Sequence, residues 1–428
     1  MRQWRMGTLT LGSLLVALGC GFILTKIGII NSIVHVLSWW PLAIILLGIE
    51  VLLGGFLFID ERCKLKFDGF SVLSILLTLF ICASSFVVSA LPIDKFNFNF
   101  PHNNIFYSDN STFKKSLTIN ASGKESFIIN NSLGNIQFQK STGTNIEIEA
   151  SVKVAYNDYE FAKSVPDNII KITEGNITTL SSDKAQFDNN KVNIESIDYT
   201  IKVPDKINIE IANKFGNVDT IDIGGNLKIN NSNGSVNVKS LIGNLTIENK
   251  FGDINASEIS GPAKITNSNG KIKADSFNSD LIIDAKFSDV TATNIKGSLK
   301  LADSNGKIVT ENINGSLNIQ NKFGDIELKN VSGLVDIKNE NGAISLSSDK
   351  ILQNDVKLTN KFGNITLNLI GQQEGHLSLY SRHGNIKTSL PISINKDNTS
   401  ESADSNIGSA KNQINVRNEN GNISISKN

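Results

Sequence analysis

Five copies of a cation followed by an aromatic ring, Lys214-Phe215, Lys250-Phe251, Lys286-Phe287, Lys322-Phe323 and Lys361-Phe362, are the residues of this chain whose type and spacing could do chemistry. That chemistry would be recognition: a row of ammonium groups beside aromatic faces can hold an anionic or glycan polymer by charge, stacking and multivalency. The competing reading is solvated turn lysines, with the phenylalanines covering the end of a hydrophobic interior. Glu50 is the other candidate. It lies inside an apolar stretch, where an ionised carboxylate is costly, so it is either a proton or partner-helix contact or a protonated acid hydrogen-bonded within a helix bundle.

Other chemistries fare worse. Asp253, Asp289 and Asp325 recur after a turn, but they alternate with Ser and Lys and lack the glycine-rich calcium signature. His35, His102, His376 and His383 do not cluster at metal-ligand spacing. No nucleophile–base pair and no phosphate-binding motif is recognisable. The chain has five arginines, of which only Arg382 and Arg417 lie in its C-terminal half, so the acidic cluster with a basic partner that polysaccharide-cleaving enzymes need is not expected. With a formal net charge of zero there is no bulk attraction for nucleic acid. The expectation is a non-enzymatic protein with no catalytic residue, cofactor or metal.

The elements that must position the Lys-Phe pairs repeat with a short period. Turn glycines fall at 216, 234, 252, 270, 306, 324 and 342, a step of 18 with Ser288 in the one gap, and then at 363, 384 and 421. Between them apolar residues alternate with polar ones, and the columns hold when the sequence advances by 18. Val218, Val236, Ile254 and Ile272 make one such column; Ile229, Ile247, Ile265 and Ile283 make another. Alternation over short runs with glycines between them specifies strands, and a fixed short period specifies a solenoid. The fold class is therefore all-β, a parallel β-solenoid of about ten rungs and roughly 50 Å.

The turns alternate between Lys-Phe-Gly and Ser-Asn-Gly, which leaves a coil of 18 or of 36 residues open; the core columns favour 18. A second glycine column at 225, 243, 261, 297, 315 and 333 marks the opposite turn and predicts positive φ there. The asparagines at 213, 231, 249 and 267 predict side-chain ladders that satisfy the stacked turns.

Three apolar stretches, Gly7 to Thr25, Leu37 to Ile59 and Gly69 to Leu91, are each long enough to span a bilayer as a helix. Arg2 and Arg5 precede the first, and Arg62, Lys64 and Lys66 separate the second from the third, which predicts a cytoplasmic N-terminus and an extracytoplasmic C-terminal domain. The outer part has no cysteine, since Cys20, Cys63 and Cys82 all precede it, which suits an exported Gram-positive domain stabilised by stacking alone. The organisation expected is a three-helix transmembrane anchor over 1–92, a linker over 93–111, an irregular β-rich cap over 112–211, and solenoid repeats over 212–428 with an inserted polar loop at 393–411.

The stretch Trp39-Trp40-Pro41-Leu42-Ala43-Ile44-Ile45-Leu46-Leu47-Gly48-Ile49-Glu50 resembles the transmembrane region shared by LiaF-like envelope-stress proteins. The recurrent Asn-Gly turns, with Asp198-Tyr199-Thr200-Ile201-Lys202-Val203-Pro204 ahead of the first regular rung, are similar to the bacterial putative-adhesin family of β-strand-repeat proteins. The resemblance implies architecture more than activity. With the apolar stretches it points to a cell-membrane, multi-pass, adhesin-like envelope surface or scaffold protein whose partners are the bilayer and, along its long face, a cell-wall polymer, another protein or another cell. The alternatives are a modulator of an envelope-stress signalling system, bound to its membrane proteins through the spans, and, further off, a polysaccharide-active β-helix enzyme.

Overall fold

The computed structural model describes residues 107–184 and 191–427, with a few isolated positions before them. The chain divides into two compact units, Met1–Asn104 and Ile105–Asn428. In the first, Arg5–Met6 pairs in parallel with Lys66–Phe67. The three apolar stretches, apart from isolated positions, lie outside the described residues, as does Glu50. Among the described residues, no helix is long and apolar enough to cross a membrane.

The second unit is a β-solenoid made of two long sheets. Each coil contributes one strand to each sheet: Asn208–Phe215 and Val218–Ile223 form one coil, and Leu227–Asn233 and Val236–Leu241 form the next. Ile209 pairs with Leu227 and Val218 with Val236, both at a step of 18, so a coil holds 18 residues. The period of 36 is an alternation between neighbouring coils. The inward positions form continuous apolar columns, with Val218, Val236, Ile254 and Ile272 on one sheet and Ile229, Ile247, Ile265 and Ile283 on the other, all buried in a narrow interior. Burial of these columns is the driving force for stacking, since no single coil has a core of its own.

The second turn differs from the sequence expectation. Gly225, Gly243, Gly261, Gly297, Gly315 and Gly333 do not have positive φ; the left-handed residues are Asp222, Ser240, Glu258, Ser276, Asn294, Asn312 and Asn330. Each is skipped in the ladder, as where Ile221 pairs with Lys239 and Ile223 with Leu241. The skipped residue shifts the phase of alternation, so that Ile223 and Leu241 point inward to close the corner. The glycine column is needed for a different reason, close approach: a Cβ on Gly243 would lie 2.3 Å from the carbonyl oxygen of Gly225.

At both ends the rungs stack out of sequence order. Ser126–Asn131 and Ile136–Lys140 form a coil against which Asn208–Phe215 and Val218–Ile223 stack on one side. On its other side lie Ile177–Ser182 and Val192–Val203, which come between those two coils in sequence. Antiparallel strands Asp109–Asn120 and Asn145–Tyr156 then close the edge. The helix Tyr159–Ile169 is capped by the Asp158 side chain, which accepts from the Phe161 amide, and it buries Ala162, Val165 and Ile169. At the other end, Gln413–Asn420 and Ile423–Lys427 insert between the coil of Val356–Phe362 and Ile365–Leu369 and that of Gly375–Arg382 and Ile386–Thr388. The segment 393–411, expected as a loop, contains Ser400–Ile407, which pairs antiparallel with Gly375–Arg382 and covers that edge.

Candidate functional site

The five phenylalanines of the Lys-Phe pairs are 51–58% exposed, so they do not seal the interior. Each occupies the last position of a strand in the same sheet, and wherever strand pairing reaches that position the partner is asparagine. Phe215 pairs with Asn233, Asn233 with Phe251, Phe251 with Asn269 and Asn269 with Phe287; Asn305 pairs with Phe323, Phe323 with Asn341 and Asn341 with Phe362. The result is a ladder along one edge of the solenoid in which an aromatic ring recurs every second rung. The residue before each ring alternates in step: Lys214, Lys250, Lys286, Lys322 and Lys361 on the aromatic rungs, with Ser232, Ser268, Ser304 and Glu340 between them. Among the described residues, only Lys361 of the five lysines has an ion-pair partner, Glu340 at 3.6 Å.

The inserted C-terminal coil extends the ladder. Phe362 pairs with Asn420, and beyond it Gly384 packs against Gly421, which brings His383 next to Asn420. In space the order is Phe362, Asn420, His383, so an aromatic ring again falls on the second rung, here on a left-handed residue just past the strand end, and Arg382 before it supplies the cation. Arg382 and His383 are both exposed. This sixth pair was out of reach of a reading in chain order, where His383 precedes Asn420 and breaks the alternation.

Two open grooves flank the ladder. One, of about 520 Å³, runs between Phe287 and Phe323 across Asn305 and is bordered by Lys271, Lys307 and Asp289. The other, of about 660 Å³, lies by the N-terminal cap, where Lys214, Ser232, Lys250 and Ser268 border it. Rings and ammonium groups thus line different grooves of the same turn row.

The turn beneath the ladder is held by three devices. The Gly252 amide donates to the Asn269 carbonyl on the next coil, and Gly252 itself has φ +130°, with a Cβ there meeting the Gly234 carbonyl oxygen at 2.2 Å. The Asn249 side-chain Nδ2 donates to the Gly252 carbonyl at 3.1 Å and to the Gly234 carbonyl at 3.3 Å, clamping two turns at once. Asn213 and Asn321 do the same. The asparagines thus form a ladder of amide-to-backbone clamps, and what the position requires is a donor. Asp253, Asp289 and Asp325 each accept from the amide of the following turn, that of Lys271, Lys307 and Ala343, which gives these carboxylates a structural role. Among the described residues, no three His, Cys, Asp or Glu side chains gather as a metal site.

One pair of coils departs from this pattern. Ala285 stands where the clamp asparagine belongs, Ser288 replaces the turn glycine, and Asp303 takes the next clamp position. Strand pairing here stops at Asp284 and Ala302, short of the ladder position. Asp303 is 5% exposed, and neither carboxylate oxygen has a geometric hydrogen-bond partner. Burial pushes its carboxyl up to about 6 against the pull of the Asn305 and Ser304 backbone amides, and the nearby Asp289 charge adds to the rise. A neutral carboxyl has an O–H to donate where asparagine would donate N–H; a carboxylate has none.

Residues 264–426 match the family model described as Toastrack DUF4097. The match is under half of the chain. It takes in the aromatic rungs from Phe287 to His383, while the coils before it repeat the same unit. Among solved structures, a putative cell adhesion protein from Clostridium sporogenes aligns over 74% of this chain and all of its own, at 12% identity and a TM-score of 0.17. A putative adhesin from Parabacteroides merdae aligns over 75% of this chain and 97% of its own, at 12% identity and a TM-score of 0.24. Another from Bacteroides fragilis aligns over 74% and 97%, at 13% identity and a TM-score of 0.19. Superpositions this loose bear on neither fold nor function, and the names describe those proteins. No curated protein matches the chain.

Proposed function

We propose that this protein is a membrane-anchored, non-enzymatic surface or scaffold protein of the bacterial cell envelope, adhesin-like in that its extracytoplasmic solenoid holds a wall polymer along the turn ladder. The observation that carries this reading is the ladder itself. Half-exposed rings kept at a fixed spacing, each of the five preceded in the chain by a lysine that, Lys361 apart, lacks an ion-pair partner among the described residues, serve no purpose in packing the interior. Stacking along many rungs would let individually weak contacts sum.

The anchor rests on the three apolar stretches and the distribution of basic residues. The parallel pairing of Arg5–Met6 with Lys66–Phe67 supports the same topology. In a three-span arrangement both segments lie on the cytoplasmic side and each leads into a span running outward, so they would run side by side in the same direction.

The test is co-sedimentation of the full-length, detergent-solubilised protein with purified insoluble cell wall, beside a variant lacking 212–427. Retention of the full chain and release of the deletion variant is the expected result. Equal sedimentation of both, or of neither, would remove the solenoid as the polymer-binding part.

A further inference from the structure

The alternation of aromatic and asparagine rungs follows space rather than sequence. If it were only a trace of duplicated 36-residue segments, it would run in chain order to the end. Instead it survives the insertion of Gln413–Asn420 between Val356–Phe362 and Gly375–Arg382: in chain order the last three members are Phe362, His383, Asn420, and in space they are Phe362, Asn420, His383. The cations obey the same rule, with Lys361, Glu419 and Arg382 in spatial order. A pattern that is restored by a rearranged stack is a property of the finished surface.

That surface has a defined period. Neighbouring rungs are about 4.8 Å apart, so the rings recur at about 10 Å and the row from Phe215 to His383 is on the order of 50 Å long. One rung is close to the advance of one pyranose in an extended β-1,4-linked chain, and two rungs to one disaccharide. In such a chain successive sugars are flipped, so the same face returns with every second sugar. A ring on every second rung would stack on that recurring face, and the asparagine between would meet the polar edge of the intervening sugar. The groove of about 520 Å³ that joins Phe287 to Phe323 across Asn305 is one such two-sugar interval.

Resting on the polymer-binding reading above, we infer that the ladder of Phe215, Phe251, Phe287, Phe323, Phe362 and His383 binds an extended β-1,4-linked glycan by stacking on the face that recurs with every second sugar. Spacing and stacking, rather than charge, select this class, since the ring groove carries the carboxylate of Asp289 beside Lys271 and Lys307, and Lys307 is ion-paired to Glu327. The chemistry is that of an alternating N-acetylglucosamine and N-acetylmuramic acid strand stripped of its peptides.

The experiment titrates the full-length protein with size-fractionated strands of that composition, from two to ten sugars, measuring affinity at each length. Expected is a rise with each added disaccharide, and a fall of about tenfold for the octasaccharide in the Phe251→Ala/Phe287→Ala variant. Phe251→Tyr/Phe287→Tyr should restore binding, which separates lost stacking from lost folding. Chito-oligosaccharides of equal length, which share the β-1,4 linkage, should bind comparably, with little dependence on salt. Equal binding of α-1,4-linked malto-oligosaccharides, or no dependence on length, would overturn the inference. If intact wall still sediments with the chain while the strands fail to bind or the alanine variant binds them normally, the ladder assignment falls and the polymer-binding reading stands. If neither wall nor strands bind, both fall.

Discussion

The turns at Gly252 and Ser288 are two rungs apart on the same ladder and carry the same Lys-Phe pair, yet only the first has the full set of supports. At Gly252 a left-handed glycine, a clamp asparagine and a turn-to-turn amide bond coincide. At Ser288 the glycine is gone, Ala285 has no clamp to offer, and Asp303 above it has an acceptor where a donor is wanted. The ring nonetheless stays at the edge, with Phe287 58% exposed against 52% for Phe251. Stacking of the inner columns, with the Asp289 carboxylate accepting from the Lys307 amide of the next turn, therefore keeps the ladder in place without the glycine and the clamp asparagine, which stabilise the other turns locally.

The comparison can be broken most severely at its regular member. Gly252→Ala places a Cβ against the Gly234 carbonyl oxygen at a backbone angle that L-residues avoid, and it should cost about 4 kcal/mol or more, read as a lowered denaturation midpoint. The converse change repairs the irregular member. Asp303→Asn restores a donor and should stabilise the protein by up to about 3 kcal/mol at pH 7.

The sign of the pH effect follows from the raised carboxyl. Folded, Asp303 titrates at about 6 against 3.8 for the free residue, so between those values the folded state binds more protons. Its contribution is fully present below pH 3.8 and is lost as pH rises through 6. Denaturation midpoints of the wild type should improve on acidification from pH 7 to 5 relative to Asp303→Asn, which lacks this term. A smaller gain, about 1 kcal/mol, is expected for Ala285→Asn, measured in the same way. The smallest effect belongs to Phe287→Ala: a half-exposed ring should change stability by no more than about 0.5 kcal/mol, and a larger loss would mean the ring is structural after all.

Much of this fold was legible because its core columns repeat. Val218 and Val236 announce their own pairing, as do Ile229 and Ile247, and alternation marks their strands. The αL corner was assigned to the wrong residue. Gly225 and its equivalents look like the flexible position, but they answer a close approach between backbones, while Asp222 and Ser240 take the left-handed turn and carry no consistent residue type to announce it. Rung order at the ends was not legible either. All coils share one 18-residue pattern, so nothing local in Gln413–Asn420 says that it stacks on Val356–Phe362 rather than on Gly375–Arg382; long-range competition for edges decides. The sixth cation–aromatic pair was hidden by that same permutation.

Disulfide trapping tests most directly whether the ladder is continuous in space. In a chain whose Cys20, Cys63 and Cys82 are replaced by Ser, the pair Phe362→Cys/Asn420→Cys sits on adjacent rungs, about 4.8 Å apart and within disulfide range, whereas Phe362→Cys/His383→Cys is separated by about 10 Å. Rapid, near-complete crosslinking of the first pair and none of the second is the predicted result. Crosslinking of Phe362→Cys to His383→Cys would place the rungs in chain order and contradict the account.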